Sequence, residues 1–217
     1  MEVVGYCFRI LSSQEDPYSV PWFVVQYFFI VVAPVFFSAA IYAIVSVLIN
    51  TYGPKYSPIP PKVVLGVFIT CDVVATIVQI AGAALVGSAY SNRENPTTPN
   101  NILLAGLAFQ VFTFAVFLLV LLLTLWKARQ SPVTVSHSFL AALILATLAV
   151  YLRTCFRLAE TAEGLMQFLS THEAFFGSLE FAPIVVAVYL FTYWHPGRWL
   201  KASLTRKREE DVETFRT

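Results

Sequence analysis

Five apolar runs, each about 20 residues or longer, set the terms on which this chain can fold. They extend from about Pro21 to Leu48, Val63 to Tyr90, Ile102 to Trp126, His137 to Phe156 and Ala174 to Trp194. At about 1.5 Å of rise per residue, each is long enough to cross a hydrocarbon layer of about 30 Å. None alternates with the period of two that a barrel strand needs, and backbone left unpaired inside lipid is costly. The predicted fold class is therefore all-α, a polytopic transmembrane helix bundle with five spans. Composition agrees: 58% of residues are hydrophobic and 12% charged, against about 45–50% and about 25% in soluble domains. Residues 1–20 form an amino-terminal segment, 21–197 the transmembrane domain and 198–217 a tail.

The connections carry turn chemistry. Asn50–Pro61 is rich in proline, Ser91–Asn101 is polar with Asn95-Pro96 and Pro99-Asn100, Lys127–Ser136 is short and basic, and His195-Pro196-Gly197 stops the last span. Trp22, Tyr27, Tyr90, Trp126, Tyr193 and Trp194 sit near span ends, where interfacial aromatics belong. Five spans put the termini on opposite sides. One side holds Lys55, Lys62, Lys127, Arg129 and the tail's Arg198, Lys201, Arg206, Lys207, Arg208 and Arg216. The other holds Arg9, Arg93, Arg153 and Arg157. Ten cations against four place the carboxyl terminus in the cytoplasm and residues 1–20 outside. The opening residues lack a basic start followed by an apolar run and include Glu2, Glu15 and Asp16, so a cleaved signal peptide is not expected. The net charge of +1 leaves no basic face for nucleic acid. Cys7, Cys71 and Cys155 show no paired spacing and are read as small apolar groups.

In such a chain the rare polar residues carry the information, because charge near hydrocarbon is expensive. Arg153, Arg157 and Glu160 follow i, i+4, i+7 spacing and share one helix face, with Glu163, His172, Glu173 and Glu180 further along. Two arginines near the end of an apolar helix should point into the bundle, toward Glu160, Glu173, Glu180 or an anionic headgroup. Their planar forks suit carboxylate or phosphate. The plainer reading is an internal ion-pair cluster that fixes helix ends. Asp72, Thr76 and Gln79 form a second stripe with Gly82 close by. A lone carboxylate at that depth is protonated or paired. The stripe either lines a cavity or moves a proton, or it holds helices together by a hydrogen bond. Gly106, Gln110 and Thr113 share a face suited to close helix packing. Pro34 and Pro183 permit bends or hinges.

Enzyme chemistry finds little footing. His137, His172 and His195 are far apart and lack zinc-binding spacing, and GxSxG, Walker and GxGxxG motifs are missing. The expectation is a non-enzyme without cofactor or metal, with any transport passive, proton-linked or ion-linked.

Several of these residues recur in an order that resembles a known family. They are Glu2-x-x-Gly5-Tyr6-x-x-Arg9, Ala33-Pro34 with Ala39-x-Ile41-Tyr42, Asp72 with Gln79-x-x-Gly82, and Gly106-Leu107-x-x-Gln110. Then come Arg153-x-x-Phe156-Arg157-x-x-Glu160-x-x-x-Gly164 with His172-Glu173, and finally His195-Pro196-Gly197. Together they resemble the fungal lipid-translocating exporter-like (RTA-like) family, linked to aminocholesterol resistance and sphingoid base release. The resemblance implies a seven-helix bundle of which this chain carries the last five spans, as an amino-terminally truncated member. Two departures stand out: Glu180 lies where the family usually has aspartate, and Gly177 replaces a usual tyrosine.

The implied function is movement or efflux of amphipathic lipids such as sphingoid bases, or resistance to amphipathic toxicants. The expected partners are membrane lipids and the lipid substrate, and no residue pattern specifies an oligomeric state. The expected location is the plasma membrane, or else a vacuolar or endosomal one. Glu160, Glu173 and Glu180 would meet a cationic amine while the arginines hold carboxylates or a phosphate. Asp72, Gln79 and Gln110 would line the path. Other readings stay open: a receptor-like sensor, an inactive truncated relative, or a partner subunit that regulates a full-length paralogue.

Overall fold

The computed structural model describes residues 20–53, 56–93, 95–131, 135–163, 177–195 and 197, with side chains at Val25, Phe28, Phe29 and from Val31 onward except residues 177 and 178. Within them the chain is helical, in the order α1 (Val20–Tyr52), α2 (Pro61–Ser91), α3 (Thr97–Ala128), α4 (His137–Glu163), a π turn (Gly177–Phe181) and α5 (Ala182–Tyr193). The first four are long and apolar enough to cross a membrane, with mean hydropathy of 2.0 to 2.5 in their best windows. The fifth apolar helix is shorter, Leu179–Tyr193 among the described residues.

Helix ends follow local chemistry. Gly53, at φ +103°, closes α1, and its N–H donates to the Ile49 carbonyl at 2.9 Å. Pro61 opens α2 where a missing N–H costs nothing. Asn95 accepts from the backbone N–H of Thr97 at 3.1 Å, at the start of α3. The polar stretch read as a loop to Asn101 is therefore already helical from Thr97, because Pro99 falls in the first turn, where proline is tolerated. The fourth span continues past Phe156 to Glu163, since Arg153, Arg157 and Glu160 keep an inward face and nothing there breaks the helix.

Each helix packs along its successor, and α1 also meets α3 and α4, which closes these four into a bundle. The rings of Phe37 and Phe191, 5.6 Å apart, bring α1 beside α5. The core joins Ile41, Val45 and Leu48 of α1 to Phe114, Phe117 and Leu121 of α3 and Phe139 and Leu143 of α4. The outward face is as apolar as the inner one: Ile77 is 61% exposed, Phe112 67% and Leu119 57%. Such a surface suits lipid rather than water. Trp126, Tyr90 and Tyr193 are exposed near helix ends, as expected of an interfacial belt.

The α2–α3 seam is the tightest. A methyl group added to Gly82 would stand 2.8 Å from the backbone nitrogen of Leu103. One on Gly106 would stand 3.0 Å from Cγ of Gln79 and 3.3 Å from the carbonyl oxygen of Ala75. Glycine at both positions lets the two helices approach nearly backbone to backbone.

Candidate functional site

Arg153 and Arg157 lie one turn apart on α4 and both turn inward. Arg153 is 7% exposed, Glu160 6% and Glu180 1%. Glu180 belongs to the π turn that precedes Pro183. Pro183 has no N–H to donate back to the preceding turn, and the helix is widened just before it. Arg153 reaches this turn: its Nε donates to the Glu180 carbonyl at 3.2 Å, and its Nη2 donates to Glu180 Oε1 at 3.3 Å. The arginine thus ties α4 to the start of α5 through backbone and side chain together. Arg157 donates through Nη1 to Glu160 Oε2 at 2.9 Å, and the same nitrogen lies 3.6 Å from Glu180 Oε2. That oxygen accepts no hydrogen bond. Among the described residues two cations and two anions meet in this group.

A second polar pair sits on the α2–α3 seam, where Gln79 Nε2 donates to Gln110 Oε1 at 2.7 Å. Both carboxamides and both arginines line one small cavity of about 30 Å³, together with Val31, Pro34 and Ser38 of α1. Leu107, Val150 and Thr154 complete its wall. All four long helices contribute to it. Its volume suffices for a water molecule or two, and its lining offers the polar partners that water needs. The site is thus a polar chamber at the centre of the bundle, with guanidinium groups on one wall, carboxamides on another and carboxylates behind the guanidiniums.

Of the residues singled out from the sequence, Gln79, Gln110, Arg153 and Arg157 meet at this chamber. Glu160 and Glu180 stand behind the arginines and do not line it. Asp72 does not reach it. It is 1% exposed and accepts a 2.7 Å hydrogen bond from the Tyr42 hydroxyl at Oδ2, while its Oδ1 has no partner. The rings of Phe68, Phe114 and Phe117 surround Tyr42, so the pair is closed off by aromatic groups. Thr113 spends its hydroxyl on the Gln110 carbonyl at 3.0 Å. His172 and Glu173 lie outside the described residues. Cys71 and Cys155 are free, half-buried thiols. Among the described residues no group of three or more His, Cys, Asp or Glu could hold a metal ion.

Sequence reading missed Ser38 and Thr154. Both had a signal: Pro34, Ser38 and Tyr42 follow i, i+4, i+8 spacing, and Thr154 is three residues from Arg157. It also missed the bond from Asn100 Nδ2 to the Thr161 carbonyl at 3.2 Å, which joins the start of α3 to the end of α4.

Comparison with known proteins places the chain. A family model described as RTA1 like protein matches residues 1–203. The sphingoid long-chain base transporter RSB1 of Saccharomyces cerevisiae is 30% identical, over 94% of this chain and 64% of its own length. Protein RTM1 of the same organism is 28% identical, over 88% of this chain and 62% of its own length. Protein RTA1 is 23% identical, over 98% and 67%. The chain therefore spans about two thirds of the length of the curated relatives it matches. No solved structure matches it. With a family model covering nearly its whole length and relatives of the same kind, the chain belongs to the RTA1-like family.

Proposed function

We propose that this chain binds an amphipathic long-chain lipid, a sphingoid base or a molecule of similar build, and moves it across the membrane without enzymatic chemistry. The observation that carries this reading is the central chamber: Gln79, Gln110, Arg153 and Arg157 converge on it from three helices, with Glu160 and Glu180 behind. The similarity to a sphingoid long-chain base transporter supports the choice of lipid. Such a molecule brings hydroxyls and an amine on one apolar chain. The carboxamides and guanidiniums would donate to the hydroxyls. The amine needs a carboxylate, and the arrangement supplies one by exchange. Arg157 is bound to Glu160 at 2.9 Å and stands 3.6 Å from the vacant Oε2 of Glu180. A small swing of Arg157 to Glu180 would complete that pairing and turn Glu160 toward an incoming ammonium. The swing itself changes no charge; the ammonium then adds one positive charge, paired to Glu160 where the dielectric is low.

On this reading the transmembrane domain is residues 21–197, the carboxyl terminus is cytoplasmic, and the site of action is the plasma membrane or else a vacuolar or endosomal one. The lysine and arginine bias toward the ends of α1 and α3 supports that orientation.

The test is transport of labelled sphingoid base by the 217-residue chain in proteoliposomes, with Glu160→Lys as the comparison. Native protein should move the label and Glu160→Lys should not, at equal incorporation. Equal movement by both removes Glu160 from the mechanism. Saturable binding without movement by the native chain would replace the transporter with a sensor.

A further inference from the structure

The opposite end of the bundle holds a second, larger cavity that the transport reading does not use. It encloses about 470 Å³ between the ends of α1 and α3 and the start of α4, within the range typical of small-molecule sites. Its walls change character along their length. Arg129, Ser131 and His137 form the mouth, at the level where α3 ends and α4 begins. Below them, one to two turns further along α4, Leu140, Ala141 and Ile144 line the cavity, as does Leu125 of α3. From His137 to Ile144 the groove descends about 10 Å along α4. A polar mouth above an apolar floor is the shape of a lipid headgroup with the first part of its chains.

Charge decides which lipid. Lys62 opens α2 and Lys127 and Arg129 close α3, so cations gather at this end. Among the described residues the carboxylates lie elsewhere: Asp72 is deep in α2, and Glu160, Glu163 and Glu180 belong to the other half of the molecule. No carboxylate pairs with Lys62, Lys127 or Arg129 among those residues. The amino end of α4, with its partial positive charge, borders the same mouth. A cationic amine would be repelled here, so the site does not suit the lipid proposed for the central chamber. Ala141, which lines the apolar part of the groove, is small and exposed.

We infer that this groove is a binding site for an anionic glycerophospholipid of the adjoining leaflet, its phosphate on Arg129 and His137 and an acyl chain along Leu140, Ala141 and Ile144. Basic pockets between helices at the cytoplasmic face take such headgroups elsewhere. The inference does not depend on which lipid the chain transports.

The experiment is native mass spectrometry of the full chain in mild detergent, with phosphatidylserine and phosphatidylcholine of identical acyl chains as probes. Native protein should retain phosphatidylserine in preference to phosphatidylcholine. Arg129→Gln, a change at an exposed position, should weaken that retention about fivefold, the effect of one cation near a membrane surface. Ala141→Trp, which fills the floor without touching charge, should abolish retention of both. Inorganic phosphate at the same concentration should not displace the lipid. Equal retention of the two lipids, undiminished phosphatidylserine in both variants, or full displacement by inorganic phosphate would each overturn the assignment.

Discussion

Replacing Glu180 by glutamine separates two roles that the arginine cluster combines. The Glu180 side chain is wholly buried and reaches Arg153 at 3.3 Å and Arg157 at 3.6 Å. At an effective dielectric of about 20, each contact supplies about 5 kcal/mol of gross attraction. The cost of taking the ions out of water offsets most of this, so the intact group adds little net stability. Glutamine keeps the shape and removes the charge. Both guanidiniums then stay desolvated while one of their two described carboxylates is lost. The expected cost is about 3–5 kcal/mol, which for a chain of this size lowers the melting temperature by about 10 °C. Unfolding can be followed in detergent by a thiol-reactive dye, since Cys71 and Cys155 are free and half-buried. The double variant Arg153→Met with Glu180→Leu removes an ion from each side and leaves the Arg157–Glu160 pair in place. Its stability should return to within about 1 kcal/mol of native, yet in proteoliposomes it should carry no lipid. A Glu180→Gln variant that melts with the native protein would refute the idea that both guanidiniums depend on this buried charge. A double variant that transports normally would reduce the cluster to a structural lock.

Other perturbations read other parts of the bundle. Gly82→Ala presses a methyl group against the Leu103 backbone, at 2.8–2.9 Å from its nitrogen and Cα, and should destabilise by about 1–3 kcal/mol less the small gain in helix propensity. Gly66→Ala meets nothing within 4 Å and should stabilise by up to about 1 kcal/mol, so the two melting shifts should have opposite signs. Tyr42→Phe strips the donor from Asp72 and should cost about 1–3 kcal/mol, whereas Asp72→Asn keeps an accepting oxygen and should cost less in the same melts. Gln110→Leu leaves the buried carboxamide of Gln79 unpaired, and Gln79→Leu the half-buried one of Gln110. The double variant should melt above either single one while losing transport, because the chamber loses its hydrogen-bonding wall.

Much of the fold was legible because one quantity, apolar length, decides it. The bilayer demands helices, and proline and glycine mark their ends well enough to place α2 within two residues at its start. The errors fell where polar residues continue a helix beyond lipid: Thr97–Asn101 and Leu158–Glu163 look like loop by composition but keep their hydrogen-bonded ladder. The site was half legible. Helical spacing put Arg153, Arg157 and Glu160 on one face, and that face turns inward. Spacing within one helix says nothing about which neighbour answers it. That Gln79 would bond Gln110, that Tyr42 would claim Asp72 away from the chamber, and that Glu180 would reach both arginines depend on how helices are rotated against each other. That rotation is set by close packing at Gly82 and Gly106, which no single-sequence period encodes.

The glycine seam also bears on how the chamber can open. Helices separated by long side chains slide by rotamer changes, but α2 and α3 meet almost skin to skin at Gly82 and Leu103, and no cushion exists to shear. That pair acts as a strut. If the central space is to enlarge for a lipid, the opposite wall would have to give: α4 would carry with it the turn that Arg153 ties to it, and α1 would bend at Pro34, which leaves the carbonyl of residue 30 without its helical donor. A covalent tether between α2 and α3 should leave lipid movement intact, and one between α1 and α4 beside the chamber should stop it. The stationary half of the machine would then be the one whose residues have the least side chain to give.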